Sequence, residues 1–235
     1  MPEKKSQITA SSVTKTYGKR NNIFTALDSI DVSINKGESI AIIGKSGSGK
    51  STLLHILACL DRPSTGSIQF ENIETSKLKS KQLDKLRNQK FGFVFQQFFM
   101  NPNDNVLDNV ALPLKVAGIR KKQRRERALE MLKEVELSDK AKSRARDLSG
   151  GQKQRVCIAR ALINNPEVIF ADEPTGNLDT KTGQQIEKLL FDLNHEKNIT
   201  LIVVTHDEDL ANKCNRKIYL QDGRVVKELS KKWKV

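Results

Sequence analysis

Residues 39–52 read Ser-Ile-Ala-Ile-Ile-Gly-Lys-Ser-Gly-Ser-Gly-Lys-Ser-Thr, and this stretch constrains the fold more than any other. Four apolar residues, Ile40 to Ile43, run into Gly44. Gly47, Gly49, Lys50 and Ser51 follow, and then an apolar helical spacing at Leu53, Leu54, Ile56 and Leu57. That order predicts a strand, a glycine loop and a helix. Glycines let the backbone curl until successive N–H groups point inward, and the helix start adds partial positive charge. A loop from Gly44 to Thr52, with Lys45, Ser46 and Ser48 inside it, can therefore cradle the phosphates of a nucleoside triphosphate. Lys50 would reach the β- and γ-phosphates, and the Ser51 hydroxyl would hold Mg²⁺. A glycine-serine turn of no chemical consequence would need neither the strand before it nor the helix after it.

Charge narrows the partners without choosing among them. The 235 residues carry 41 basic and 28 acidic side chains, a net charge of +13. Such a balance favours anions: nucleotide, nucleic acid or the negative inner face of a membrane. Cys59, Cys157 and Cys214 are far apart and flanked by apolar residues, the pattern of reduced core thiols in a cytosolic protein. The opening Met-Pro-Glu-Lys-Lys-Ser-Gln lacks the apolar core of a signal peptide. No apolar run reaches the roughly 20 residues that span a bilayer.

Along the chain the hydrophobic period changes twice. Residues 7–34 predict short antiparallel strands at Ile8–Val13, Phe24–Leu27 and Ile30–Ile34, with a turn at Gly18–Asn22. By contrast, Ile40–Ile43, Val168–Ala171 and Leu201–Val204 are continuously apolar. Strands of that kind belong to a parallel sheet buried on both faces. Ile186, Leu189, Leu190 and Leu193 predict an amphipathic helix between two of them. After the aromatic strand Phe91–Phe95 the pattern turns helical, with a stripe at Ala128, Met131, Leu132 and Val135. The expected organisation is an α/β catalytic core over 1–97 and 149–229, carrying antiparallel β parts. A helical subdomain is inserted at about 98–148, and 230–235 form a tail. The basic run Arg120, Lys121, Lys122, Arg124, Arg125 and Arg127 reads as a solvated helix start or as a contact for phospholipid headgroups or nucleic acid. Asp222-Gly223 marks a two-residue hairpin turn near the end, and Lys231-Lys232-Trp233-Lys234 reads as a loose tail.

Two further stretches carry chemistry. Val168–Ala171 ends in Asp172-Glu173, and adjacent residues on a strand point opposite ways, so the two carboxylates can do different work. Asp172 suits Mg²⁺ and Glu173 suits accepting a proton from an attacking water. Leu148-Ser149-Gly150-Gly151-Gln152 precedes a helix with Val156, Ala159 and Ile163 on one face. That turn is either a second phosphate surface or a simple N-cap.

The phosphate loop, Leu148–Gln152, the Asp172-Glu173 pair and His206 occur in the order seen in ATP-binding-cassette (ABC) ATPases, and the resemblance covers essentially the whole chain. It implies a P-loop core and a homodimer that holds two ATP molecules, with Mg²⁺, between the loop of one subunit and Ser149, Gly150, Gly151 and Gln152 of the other. By position, Tyr17 resembles the aromatic that stacks on adenine, and Gln96 the glutamine that senses Mg²⁺ and water. Ser149 and Gly151 match residues touching the γ-phosphate across the dimer. Asp179 in Gly176-Asn177-Leu178-Asp179 matches the dimer seam, and His206 the switch histidine at the γ-phosphate. Lys50, Gln96, Glu173 and His206 are then the catalytic set. Stretches such as Ala58–Pro63, Phe91–Gln97, Asn109–Leu114 and Ala171–Gly176 resemble the lipoprotein-releasing and macrolide-export subgroup. That subgroup implies an ATPase peripheral to the inner face of the cell membrane, driving a separate transmembrane permease, with no nucleic acid partner. A non-transport role, regulating a cell-wall or cell-division complex through a membrane protein, is the alternative. Chromosome-organising relatives divide their motifs with a long coiled coil, and no sustained heptads lie between Ser51 and Leu148.

Overall fold

The computed structural model describes residues 6–19 and 22–231. The opening residues, Arg20 and Asn21 of the expected turn, and the tail at Lys232–Lys234 lie outside the described residues. In chain order the elements are β1 (Ser6–Tyr17), β2 (Phe24–Asn35), β3 (Ser39–Ile43), α1 (Lys50–Leu57), β4 (Thr65–Phe70), β5 (Ile73–Glu74), α2 (Ser80–Lys90), β6 (Phe91–Phe95), α3 (Val106–Val110), α4 (Leu112–Val116), α5 (Lys121–Glu134), α6 (Gly150–Leu162), β7 (Val168–Asp172), α7 (Thr180–Lys197), β8 (Thr200–Thr205), α8 (Glu208–Lys213), β9 (Arg216–Gln221) and β10 (Arg224–Ser230). They form an α/β fold with parallel and antiparallel pairings, and the contacts separate two compact units, 1–83 with 194–235, and 84–193.

In the first unit, β3 and β8 are buried at every position and pair in parallel, Ile40 opposite Ile202 and Ile43 opposite Thr205. β9 lies parallel along the other edge of β3. Unbroken Ile and Val runs have no polar face to offer water, so both faces are covered: α1 packs on β8 and α8 on β3 and β8. Leu53, Leu54, Ile56 and Leu57 of α1 are all buried, each contributing about 1.5–3 kcal/mol relative to exposure. β9 and β10 form the hairpin expected at Asp222-Gly223, whose φ values of 47° and 76° suit a tight turn.

A separate four-stranded antiparallel sheet in this unit has the order β2-β1-β4-β5. The sequence predicts two strands at Phe24–Leu27 and Ile30–Ile34; the structure has one, β2, passing through Ser29 at φ 50°. The register with β1 shifts there and at Ser12, φ 47°. Side chains fill the gaps in the ladder: Ser29 N–H donates to Thr14 Oγ1 at 3.1 Å and Ser12 N–H to Asp31 Oδ1 at 2.8 Å. Bulges of this kind bend a strand without ending it.

In the second unit β6 and β7 run in parallel, with Phe91 opposite Val168 and Phe95 opposite Asp172. Phe170 is fully buried and meets Phe91 edge to face at 5.2 Å and Phe93 stacked at 5.8 Å. α6 packs against β6, and α3, α5 and α6 pack on one another. The stripe on α5 buries Ala128 and Leu132, and Val135 just past its end is also buried. Among the described residues no helix is long and apolar enough to cross a membrane.

Candidate nucleotide site

The loop between β3 and α1 is built for an anion. Gly49 sits at φ 99°, and a Cβ there would meet the Ala26 carbonyl at 2.5 Å, so only glycine fits. Gly47 is at φ 80° on the exposed lip of the loop with open space around it. The β9–β10 turn braces the loop from outside, Gly223 N–H donating to the Ser48 carbonyl at 3.1 Å. α1 then starts with no side-chain cap and no acid in its first turn, leaving its amide end uncompensated. The Ser48 hydroxyl is shut inside the fold beside Gly44 and has no hydrogen-bond partner among the described residues. Lys50, buried to 9 % exposure, donates from Nζ to the Lys45 carbonyl at 2.9 Å. Ser51 and Thr52 follow in the first turn.

Two residues distant in sequence reach this loop within the same unit. β3 and β8 end in register at Ile43 and Thr205, so Gly44 and His206 are neighbours at the carboxyl ends of parallel strands, where open α/β sheets bind ligands. Tyr17, at the end of β1, comes within hydrogen-bonding reach of the Thr52 side chain. Its hydroxyl donates to Asp61 Oδ2 at 3.0 Å, and Lys15 Nζ lies 4.9 Å from its ring centroid while pairing with Asp61 at 2.8 Å. Partial burial pushes the Asp61 carboxyl up, but the hydrogen bonds from Lys15, the Arg62 amide and Tyr17 outweigh it and hold it below the ordinary aspartate value. The same burial and the bond to Asp61 raise the Tyr17 hydroxyl. Tyr17 as a whole remains 42 % exposed.

The second unit collects the remaining residues. β6 and β7 end in register at Phe95 and Asp172, which sets Gln96 and Glu173 side by side as the first residues beyond the pair. The two carboxylates differ for another reason than strand alternation. β7 stops at Asp172, and Glu173 turns into the left-handed region at φ 45°, a strained conformation for a residue with a Cβ. The turn after it closes through Gly176 N–H to the Glu173 carbonyl at 3.1 Å.

Ser149 caps α6: its Oγ accepts from Gln152 N–H at 3.3 Å, and Gln152 Oε1 accepts from Ser149 N–H at 3.0 Å. Capping settles those two polar groups and leaves the Gly150 and Gly151 amides at the half-buried start of the helix. A Cβ at Gly151 would strike Thr182 Cγ2 at 2.3 Å. Asp179 accepts from Thr182 N–H at 3.0 Å at the start of α7; bonds from the Thr182 side chain and backbone hold its carboxyl below the ordinary range.

Three contacts here have no counterpart in the motif reading. Gln154, 1 % exposed on α6, donates from Nε2 to the Pro174 carbonyl at 2.6 Å and to that of Phe95 at 3.4 Å, tying the two strand ends together. A glutamine in register with buried Cys157, Ile158 and Ala161 is the signal for it. Arg160 donates to the Phe98 and Phe99 carbonyls at 2.9 and 2.7 Å, pinning the segment past Gln96. Asn177 bonds directly to Gln96.

A glycine phosphate loop between a buried parallel strand and a helix, with carboxylates closing a second such strand, defines a P-loop nucleotide-binding α/β protein. The chain belongs to the ABC transporter family, which residues 27–176 match, and is an ATPase subunit of that family. An uncharacterized ABC transporter ATP-binding protein of Methanocaldococcus jannaschii, MJ0796, is 50 % identical over 92 % of this chain and 94 % of its own length. The lipoprotein-releasing system ATP-binding protein LolD of Syntrophus aciditrophicus is 44 % identical over 90 % of this chain and 95 % of its own. The macrolide export ATP-binding/permease protein MacB of Burkholderia thailandensis is 49 % identical over 91 % of this chain, which spans 33 % of that longer protein. A dimeric structure of MJ0796 in a post-hydrolysis state, bound to ADP and Pi, superimposes with a TM-score of 0.87 at 47 % identity, covering 95 % of this chain and 98 % of that one.

Proposed function

We propose that two copies of the chain close on two ATP molecules, each held between the phosphate loop of one copy and Ser149–Gln152 of the other. Closure then drives a separate membrane subunit of the lipoprotein-releasing or macrolide-export kind. The observation that carries this reading is the cradle itself, where an uncapped helix start, two glycines at positive φ and a buried lysine share one loop. The dimeric MJ0796 structure supports pairing, and the LolD and MacB relatives support the pathway.

In this reading Lys50 exchanges the Lys45 carbonyl for phosphate oxygens, trading a neutral acceptor for a charged one. The Tyr17 ring, steadied by Asp61, stacks on adenine. His206 and, from the other copy, Ser149 and Gly151 hold the γ-phosphate, with Asp179 at the seam. Glu173 takes a proton from the attacking water, and positioning with charge stabilisation supplies the rest of the rate. The donor set of Ser51, Asp172 and Gln96 is a hydroxyl, a carboxylate and an amide, hard oxygen donors that suit Mg²⁺. Bound there, the ion would neutralise phosphate charge and orient the chain of oxygens around it. Arg120, Lys121, Lys122 and Arg125 are exposed at the start of α5, while Arg127 is used inside the fold on the Ile163 carbonyl. The exposed four are the groups that would meet an anionic membrane leaflet at the inner face of the cell membrane.

Glu173→Gln tests the reading. The variant should bind ATP, form a dimer by light scattering, and turn over at least about 100-fold more slowly, the order expected on losing a general base. Near-normal turnover would refute the role of Glu173, and failure to dimerise with ATP would refute pairing.

A further inference from the structure

Gln96 and Asn177 face each other through their amides. Asn177 Nδ2 donates to the main-chain carbonyl of Gln96 at 2.9 Å, and Gln96 Nε2 donates to Asn177 Oδ1 at 3.3 Å. Both ends of the Asn177 amide are therefore committed to one residue, and turning that amide over would lose both bonds. On the Gln96 side the consequence is directional. With Nε2 held by Asn177, Oε1 is the end left over, and it makes no protein hydrogen bond among the described residues. An amide nitrogen carries two protons and no lone pair for a cation, whereas the carbonyl oxygen is a ligand for hard divalent ions.

The terminal torsion of a glutamine is broad and two-fold, so a free Gln96 would present nitrogen and oxygen alternately. We infer that Asn177 is a positioning residue: it sets the Gln96 amide so that Oε1, not Nε2, is offered to the divalent ion that accompanies ATP. This rests on the reading of Gln96 as a residue that senses the metal.

Two neighbouring features separate this role from general support. A Cβ at Gly176 would lie 2.9 Å from Gln96 Nε2, so the residue before Asn177 leaves the space the amide needs. Gln154, beneath, already fixes the backbone of both partners through the Phe95 and Pro174 carbonyls. Distance between the segments is thus held by Gln154, and amide orientation by Asn177.

The test uses the purified full-length chain, with the affinity for a non-hydrolysable ATP analogue measured by calorimetry as a function of Mg²⁺. Asn177→Ala should raise the Mg²⁺ concentration needed for half of the metal-dependent gain by about 10-fold, the low end of the effect of removing an outer-shell partner. Asn177→Asp keeps an acceptor for Gln96 Nε2 but sets its second oxygen against the Gln96 carbonyl, so it should recover only part of that loss, whereas Asn177→Leu should recover none. In a Gln96→Ala background, Asn177→Ala should add nothing. In the metal-free protein, the Gln96 side-chain amide protons should exchange with solvent more slowly in the wild type than in Asn177→Ala. If Gln96→Ala lowers the metal dependence but Asn177→Ala does not, Asn177 has no positioning role. If Gln96→Ala leaves the metal dependence unchanged, the reading of Gln96 falls, and the inference with it.

Discussion

Glu173 is the one proposed catalytic residue held in a backbone conformation that side chains avoid, at φ 45°, and this makes an unusual stability order predictable. At an ordinary position alanine is more stable than glycine by about 0.4–1 kcal/mol, because glycine has more freedom to lose on folding. A residue with a Cβ in the left-handed region carries about 1–2 kcal/mol of strain that glycine does not. Comparing Glu173→Ala with Glu173→Gly removes the side chain's interactions from both, so only these two effects remain. Their central values give a glycine variant more stable than the alanine variant by about 0.8 kcal/mol, roughly 2–3 °C in melting temperature for a chain of this size. Thermal melts of the two variants without nucleotide measure the difference, and both should lose turnover by at least about 100-fold. If the alanine variant melts at or above the glycine variant, the turn at Glu173 is not strained and the account of how it leaves β7 is wrong.

Other outcomes follow from the same geometry. Lys50→Ala removes one charge-assisted bond, about 1.5–3 kcal/mol, and should weaken ATP binding roughly 10- to 150-fold in a fluorescence titration; unchanged affinity would place the phosphates elsewhere. Asp61→Ala releases the Tyr17 hydroxyl and Lys15 together and should weaken ATP about 5-fold, the worth of about one net hydrogen bond; an unchanged affinity would show that the Tyr17 ring needs no anchor. Burial pushes the Cys157 thiol up to about 11 and Cys214 up to about 12. The unfolded chain therefore loses these protons first, and native stability should fall as pH rises from the ordinary thiol value of 9.0 toward those values. Denaturant titrations should show a smaller decline in a variant with Cys157→Ala and Cys214→Ala; an equal decline would assign it to other groups.

Much of this was legible because single stretches announce themselves. Ile40–Ile43 with the glycines after it reads as strand and loop at sight, as does Asp222-Gly223 as a hairpin, since each depends on local backbone chemistry. The α7 stripe at Ile186, Leu190 and Leu193 was readable because its core face repeats at the helical period. By contrast, α2 buries only Leu83 among polar neighbours, so there is no stripe to read. β4 and β5 are short and offer little beyond Ile68 and Phe70. The unbroken course of β2 depends on Ser12 and Ser29 accepting positive φ while neighbouring side chains patch the ladder, a tertiary effect. At the site, motif residues could be located in advance, but their supports could not. Asp61 holding Tyr17, Gln154 joining two strand ends and Asn177 turning Gln96 are contacts across the fold, set by register rather than by spacing along the chain.

The central claim is that ATP closure in this chain acts on a separate membrane protein. It is tested most directly by trapping tagged Glu173→Gln with ATP and Mg²⁺ in the cells that make it. The complex is then purified from detergent-solubilised membranes, and what accompanies it is identified by mass spectrometry. The account predicts a stoichiometric membrane protein with few spans and a large outer domain, absent when Lys50→Ala is added. A nucleotide-bound dimer that carries no membrane protein would contradict it.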